Sequence, residues 1–126
     1  MSKFINLHEF HLGSATYTIF EGKNAAGNNY ILDTCDPNDL WFHVNGSSSA
    51  HVVVRLGADA GADAGAGGER KIPKQVIKRC CCICKASTRT SDKVEIVYTE
   101  RGNLEKLNDV GTVSFLDTLK VKKMSL

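Results

Sequence analysis

A helical periodicity in residues 73–90 limits the possible folds of this chain more than any other pattern. At about 100° per residue, the apolar side chains fall within roughly 120° of arc, and the basic side chains gather within about 60° on the opposite side. The pattern predicts an amphipathic helix over 73–90 that packs on another element through its apolar face. That face holds Pro73, Val76, Ile77, Cys80, Ile83, Cys84 and Ser87, and the other side carries a basic ridge of Lys71, Lys74, Lys78, Lys85 and Arg89.

Runs of β-branched and aromatic residues predict strands on both sides of this helix. Residues 4–7 and 15–20 predict one hairpin. Residues 40–44 and 51–56 predict a second hairpin, because Asn45 and Gly46 form a strong turn signal between them. The other predicted elements are a loop leading into a short helix over 22–32, a strand over 94–99, a turn at 101–103 and a closing strand pair at 111–115 and 118–122.

Alternation along the second hairpin divides its side chains between two faces of the sheet, because successive residues of a strand point in opposite directions. We expect one face to be core and the other to carry polar groups that are available for chemistry. The first face holds Leu40, Phe42, Val44, Val52, Val54 and Leu56, and the second holds Trp41, His43, His51, Val53 and Arg55.

Length and composition place these elements in one domain. A chain of 126 residues with 42% hydrophobic and 24% charged residues is ordinary for a globular unit. Residues 57–68 consist of glycine, alanine and aspartate, which predicts a flexible surface loop within that unit. The sequence therefore predicts a single α+β domain over 1–126, with a mostly antiparallel sheet of hairpins packed against one long helix.

Charge is distributed unevenly along the chain. Residues 1–69 contain three basic and eight acidic side chains, whereas residues 70–126 contain 13 basic and six acidic ones. No acidic residue lies between Arg70 and Thr90, where the basic ridge is predicted. Aligned lysines on one helix face can contact consecutive phosphates, so the ridge indicates a polyanionic partner, although a solvated surface is the alternative.

Cysteines and histidines raise the question of a metal or catalytic site. Four cysteines crowd into residues 80–84, but neighbours on a helix diverge by about 100°, so only Cys80 and Cys84 could share a ligand sphere. Packing as small hydrophobes is the favoured interpretation. His43 and His51 lack the spacing of a metal site, and a hydrogen-bonded structural pair is favoured over a catalytic role. We expect no catalytic residue, metal or cofactor.

Targeting signals are not evident in the sequence. The longest apolar run, residues 52–54, is far shorter than the roughly 20 residues of a membrane-spanning helix. The first residues lack the apolar stretch of a secretory signal. We expect a cytoplasmic or nuclear protein with no membrane insertion.

Five short motifs occur in an order and spacing that cover most of the chain. They are Gly22-Lys23-Asn24-Ala25-x-x-Asn28, Asp39-Leu40-Trp41-Phe42-His43, Ser49-Ala50-His51-Val52, Val97-Tyr98-Thr99 and Gly111-x-Val113. In this respect the chain resembles the NFACT RNA-binding domain, NFACT-R, and in particular its stand-alone branch. Larger relatives work in ribosome-associated quality control and bind the large subunit and tRNA. The resemblance therefore implies nucleic-acid binding, and it implies no catalysis.

Together these observations predict a non-enzymatic module that binds RNA, either tRNA or ribosomal RNA, with DNA as a possible target. A protein docking or DNA-binding adaptor domain is the first alternative, and a His/Cys metal protein is the second. The oligomeric state stays open. The predicted nucleic-acid contacts are Lys71, Lys74, Lys78, Lys85, Arg89, Lys23, Asn24 and Arg55, and the family-motif residues are Asp39, Trp41, Phe42, His43, Ser49 and His51.

Overall fold

A six-stranded antiparallel sheet forms the centre of the computed structural model, which describes residues 4–55 and 72–126. Its strand order is β1-β2-β4-β3-β5-β8, and β6 and β7 form a separate hairpin. The predicted loop at 57–68 and the ridge residue Lys71 lie outside the described residues. The elements are β1 (Ile5–Leu12), β2 (Ala15–Gly22), α1 (Ala25–Thr34), β3 (Leu40–Val44), β4 (Val52–Arg55), α2 (Lys74–Thr88), β5 (Glu95–Glu100), β6 (Leu104–Lys106), β7 (Val113–Phe115) and β8 (Lys122–Ser125).

Both predicted hairpins are present. Strand β1 pairs with β2, and β3 pairs with β4 with Trp41 opposite Val53 and Phe42 opposite Val52. This register separates the side chains into the two predicted sets. Together with the long amphipathic helix α2, it confirms the predicted α+β class and the mostly antiparallel sheet.

The long predicted helix is α2, which is slightly shorter than the predicted span of 73–90. Pro73 stands at its N-cap position, and Arg89 caps its C-terminus. Val76, Cys80 and Cys84 are fully buried against the sheet, as the periodicity predicts. Cys81 is also buried, although it lies just outside the predicted apolar arc. It belongs to the core beneath α2, against which Tyr98 also packs. Burial raises the pKa of the Cys81 thiol to about 12, so this cysteine packs as a neutral hydrophobe.

The expectation that only one face of the sheet is core is wrong. Phe42, Val52 and Val54 join a core beneath α2, but Trp41 and Val53 join a second core on the opposite face. Helix α1 covers part of this second face through Ile31 and Leu32, and the β6–β7 hairpin contributes Leu104, Val113 and Phe115. A strand alternation cannot show that a second layer exists, because that layer comes from elsewhere in the chain.

The predicted closing pair at 111–115 and 118–122 is also wrong. Strand β7 pairs with β6, and β8 pairs with β5 at the edge of the main sheet. Asn103 sets this path, because its side chain accepts a hydrogen bond from Asp117 N at 2.9 Å and donates one to Asp117 O at 2.9 Å. A 3₁₀ turn over Thr118–Lys120 then follows, before the chain enters β8.

Neither helix in the described ranges, 4–55 and 72–126, has the length and apolarity that crossing a membrane requires.

Candidate functional site

A groove of about 1120 Å³ opens on the face of the sheet opposite α2. The start of α1, the loop between β3 and β4, the end of α2 and the β6–β7 hairpin line it. It brings together sequence positions that are far apart, including most of the family-motif residues. The predicted site residues that line it are Lys23, Asn24, Trp41, His43, Ser49, His51 and Arg89.

Three aromatic rings form the floor of the groove. The Trp41 and His43 rings stack nearly parallel, with centroids 5.7 Å apart, because these residues are two apart on the same face of β3. His51 meets both rings edge-on, at 5.4 Å from Trp41 and 5.0 Å from His43. Phe115 closes the other side of Trp41 at 5.9 Å. Trp41 and His51 are buried, whereas His43 is half-buried at the groove.

The hydrogen bond between Trp41 and His51 fixes the state of that histidine. Trp41 Nε1 lies 3.1 Å from His51 Nδ1, and because the indole N–H can only donate, Nδ1 must accept and the ring proton sits on Nε2. Burial, with a smaller contribution from His43, lowers the pKa of His51 to about 3. Burial also lowers the pKa of His43, against the opposing effect of the Val44 and Ser49 backbone. Both imidazoles are therefore neutral near pH 7.

The first family motif holds α1 against the sheet beside these rings. Asn24 Oδ1 accepts from Gly27 N at 2.8 Å and so caps the helix. Asn28 Oδ1 accepts from His51 N at 3.1 Å, which ties the helix to the strand that carries His51. A Cβ at position 22 would collide with Asn28 Oδ1, so Gly22 is required for this approach. The spacing of the motif thus has a structural basis.

The loop between β3 and β4 is held by serine hydroxyls. Ser49 Oγ accepts from Val44 N at 3.1 Å and donates to Ala50 O at 3.2 Å. Ser87 Oγ, near the end of α2, accepts from Ala50 N at 3.0 Å. These bonds fix the end of α2 beside the groove wall, although neither serine carries a group suited to binding by charge.

The described part of the basic ridge runs along the outer side of α2. Lys74, Lys78 and Arg89 are exposed, whereas Lys85 is partly buried and its Nζ donates to Leu126 O at 3.2 Å. Arg89 follows the helix in the left-handed conformation, with φ 60°, and lines the groove. The ridge therefore ends at the mouth of the groove, and Arg89 belongs to both.

Three of the predicted site residues lie in neither the groove nor the basic ridge. Phe42 stacks on Tyr98 at 5.2 Å in the core beneath α2. Asp39 is buried and lies 2.6 Å from Arg55 Nε, although that N–H is not aligned for a hydrogen bond. Arg55 also lies 3.6 Å from Asp36, so acidic neighbours already surround its charge. These placements assign packing to Phe42 and an internal ion pair to Asp39 and Arg55.

Sequence reasoning missed several residues that shape the site. Phe115 and Ser87 line the groove, and only the aromatic character of residue 115 after the Gly111 motif gave any signal. Arg79 is exposed on α2 but lies off the ridge, with its guanidinium 5.2 Å from the Phe10 ring.

Within the described ranges, histidines, cysteines and carboxylates form no group of three or more that could hold a metal.

Comparison of the sequence with known proteins identifies a family and several related proteins. Residues 6–117 match the family described as the NFACT protein RNA binding domain. The chain is 38% identical to mouse coiled-coil domain-containing protein 25 over 111 residues, covering 82% of this chain and 49% of the mouse protein. It is 32% identical to the Dictyostelium discoideum homolog over 120 residues, covering 90% and 54%. The chain thus spans about half the length of these relatives.

A solved structure shares the fold. The C-terminal part of the fibronectin/fibrinogen-binding protein from Streptococcus suis superposes with a TM-score of 0.73 at 17% identity. The match covers 96% of this chain and 45% of that one.

Proposed function

Because the chain belongs to the family of NFACT protein RNA binding domains, we propose that it binds RNA through the basic ridge and the groove and catalyses no reaction. A nucleic-acid-binding role follows from the family. The surface and the class of RNA are the parts that we propose. The observation that carries the proposal is the position of Arg89, which joins the ridge to a groove built from the family motifs.

The ridge supplies charge along a length that suits a nucleic-acid strand. Lys74, Lys78 and Lys85 follow one side of a continuous helix, so from first to last they span about 16 Å at 1.5 Å per residue. One strand of a duplex presents a phosphate about every 3.4 Å along the axis, so this length covers several phosphates. Within residues 4–55 and 72–126, neither Lys74 nor Lys78 takes part in an ion pair.

Binding without catalysis is supported by the state of the groove histidines. A general base works best with a pKa near the operating pH, and a pKa of about 3 leaves His51 a poor proton acceptor at neutral pH. Its Nδ1 is also occupied by the Trp41 N–H. The buried cysteines beneath α2 face away from the groove, in a core where burial opposes the thiolate.

We propose tRNA or ribosomal RNA as the target, and ribosome-associated quality control as the process, from the family resemblance. The matched relatives are about twice as long as the region they share with this chain. The domain would then contribute the RNA contact to that process.

Titration of labelled tRNA, a ribosomal RNA fragment, duplex DNA and heparin at two salt concentrations tests the proposal. We expect structured RNA to bind more tightly than heparin, with affinity that falls steeply as salt rises. Lys74→Glu/Lys78→Glu should weaken RNA binding strongly and lower the salt slope by about one for each lysine removed.

Lys120→Glu is the matched control for a single Lys78→Glu change. Both lysines are exposed and both changes alter the net charge equally, but Lys120 lies in the 3₁₀ turn before β8, away from the ridge. Equal losses from the two changes would show that total charge, and not the ridge, drives binding. Tighter binding of duplex DNA than of any RNA would favour a DNA-binding module instead.

A further inference from the structure

The ring stack on the groove floor is closed at one end and open at the other. Trp41 is buried, and Phe115 and His51 meet it edge-on. His43 covers one face of Trp41 in a nearly parallel stack and is itself only half-buried. The next ring in this stack would have to come from a ligand, because Asn45 follows His43 on the same face of the strand.

His51 contributes a directed hydrogen-bond donor beside this open end. Its Nδ1 accepts from Trp41, so the proton is on Nε2. Among the described residues, no side chain or backbone group accepts a hydrogen bond from this Nε2–H. His51 Nε2 is nevertheless not one of the fully buried polar atoms that lack a hydrogen-bond partner, so the atom is accessible. The donor therefore reaches the groove, where an acceptor from a ligand can meet it.

The electrostatics of the groove separate its floor from its rim. Neutral imidazoles give the floor no positive charge, so it does not attract a phosphate as a cation would. Arg89 at the rim does carry a charge, and Lys23 lines the same groove. A flat neutral ring with an acceptor edge suits the floor, and an attached anion suits the rim.

We infer that the groove binds one unpaired nucleobase, which stacks on the outward face of His43 and accepts a hydrogen bond from His51 Nε2, while Arg89 contacts the adjoining phosphate. This inference rests on the proposed function and adds a single-stranded base as its preferred ligand. A base within a duplex has its faces stacked and cannot enter such a site without leaving its helix. The site therefore favours loops and single strands.

The test compares three 12-nucleotide probes at one salt concentration: single-stranded oligouridine, the same backbone without bases, and an RNA duplex. A stacked base typically strengthens binding by about tenfold, so the wild-type protein should prefer oligouridine to the abasic strand by roughly that factor. His43→Ala should remove this preference and leave the salt slope unchanged. His43→Phe keeps a stacking surface and should retain most of the preference.

Matched variants separate this inference from the function on which it rests. Lys78→Glu should weaken all three probes alike and keep the preference for bases. His11→Ala changes an exposed histidine at the tip of the β1–β2 hairpin and should alter neither. If the wild-type protein binds none of the probes, the proposed function fails. If it binds them with normal salt dependence but without a preference for bases, only the base site fails.

The chain also carries its own reporter for the case in which His43 variants fold poorly. Trp41 is the single tryptophan, and the proposed base would lie one ring away from it. Oligouridine and oligothymidine should both change the intrinsic fluorescence of the wild-type protein at saturation, because the contact is with the base. Saturation with the abasic strand should leave the fluorescence unchanged. The same response to base and abasic strands would overturn the inference.

Discussion

The cores on the two faces of the central sheet are built from different kinds of side chain. Beneath α2 the core consists of aliphatic, aromatic and cysteine side chains. On the groove face, the core also contains the four buried polar side chains of the described ranges, each of which is bonded or paired. The first face is thus stabilised mainly by burial of area, whereas the second depends on specific partners. The buried polar residues are Asp39, His51, Thr99 and Asn103.

The largest effect should come from a cavity on the α2 face. Phe42 is fully buried, so Phe42→Ala should lower the free energy of unfolding by about 4 kcal/mol. Urea denaturation followed by circular dichroism measures the change. Leu119→Ala is the control, because Leu119 is 94% exposed and its truncation should cost little. Similar losses for the two variants would contradict the picture of a core held by buried area.

A slightly smaller effect is expected from removing polar partners on the groove face. Asn103 bonds Thr99 Oγ1 at 3.1 Å and makes two further bonds to the Asp117 backbone. Asn103→Ala should lower the free energy of unfolding by about 3 kcal/mol, since each lost bond costs about 1 kcal/mol. Asn45→Ala removes an exposed amide with one bond to Glu95 and should cost far less. A neutral result for Asn103→Ala would mean that burial alone holds this face.

Acid should weaken the groove face selectively. The pKa of His51 is lowered from 6.5 to about 3 in the folded protein, so the unfolded chain binds more protons between those values. The contribution of His51 to the free energy of unfolding is therefore fully present above pH 6.5 and decreases as the pH falls towards 3. The decrease is at most about 1.4 kcal/mol per pH unit. That gives a loss of about 2 kcal/mol by pH 5.

Denaturation curves between pH 7 and pH 5 measure this dependence. His51→Gln should reduce the slope, because glutamine does not titrate there, and the slope that remains is expected from His43, whose pKa burial also lowers. His11→Gln alters an exposed histidine whose ring lies 3.0 Å from Thr16 Oγ1, and it should leave the slope unchanged. A slope that His51→Gln leaves unchanged would assign the acid sensitivity to other groups.

The smallest change in stability is expected on the ridge. Lys78 is exposed and lies outside both cores, so Lys78→Glu should change the free energy of unfolding by no more than about 0.5 kcal/mol. Thermal melts of the variant and of Lys120→Glu measure it. A large loss would show that the ridge contributes to folding and would complicate every binding result obtained with it.

The α2 face could be predicted because its signal is local. A periodicity sustained over 15 residues identifies the helix and its buried side, and Asn45-Gly46 identifies the hairpin. The sorting of Phe42 and Trp41 to opposite faces also follows from alternation alone. These features require no knowledge of what packs against them.

The groove could not be predicted in the same way, because its parts come from distant segments. The burial of Trp41 depends on Phe115, and the position of His51 depends on Asn28 in α1. The pairing of β8 with β5 depends on a path set by Asn103 and Asp117. The motif residues were visible in the sequence, but alternation could not show which of them share a cavity.

Arg89 holds a left-handed backbone that glycine adopts freely and arginine adopts at a cost of about 1 kcal/mol. Arg89→Gly should accordingly yield a more heat-resistant domain. Among the described residues, Arg89 is the one arginine that belongs to both the ridge and the groove, and the same substitution removes its guanidinium. A screen that selects variants for thermal stability alone would therefore enrich domains in which the ridge and the groove are no longer joined by Arg89. Such a screen should also require that RNA affinity is retained.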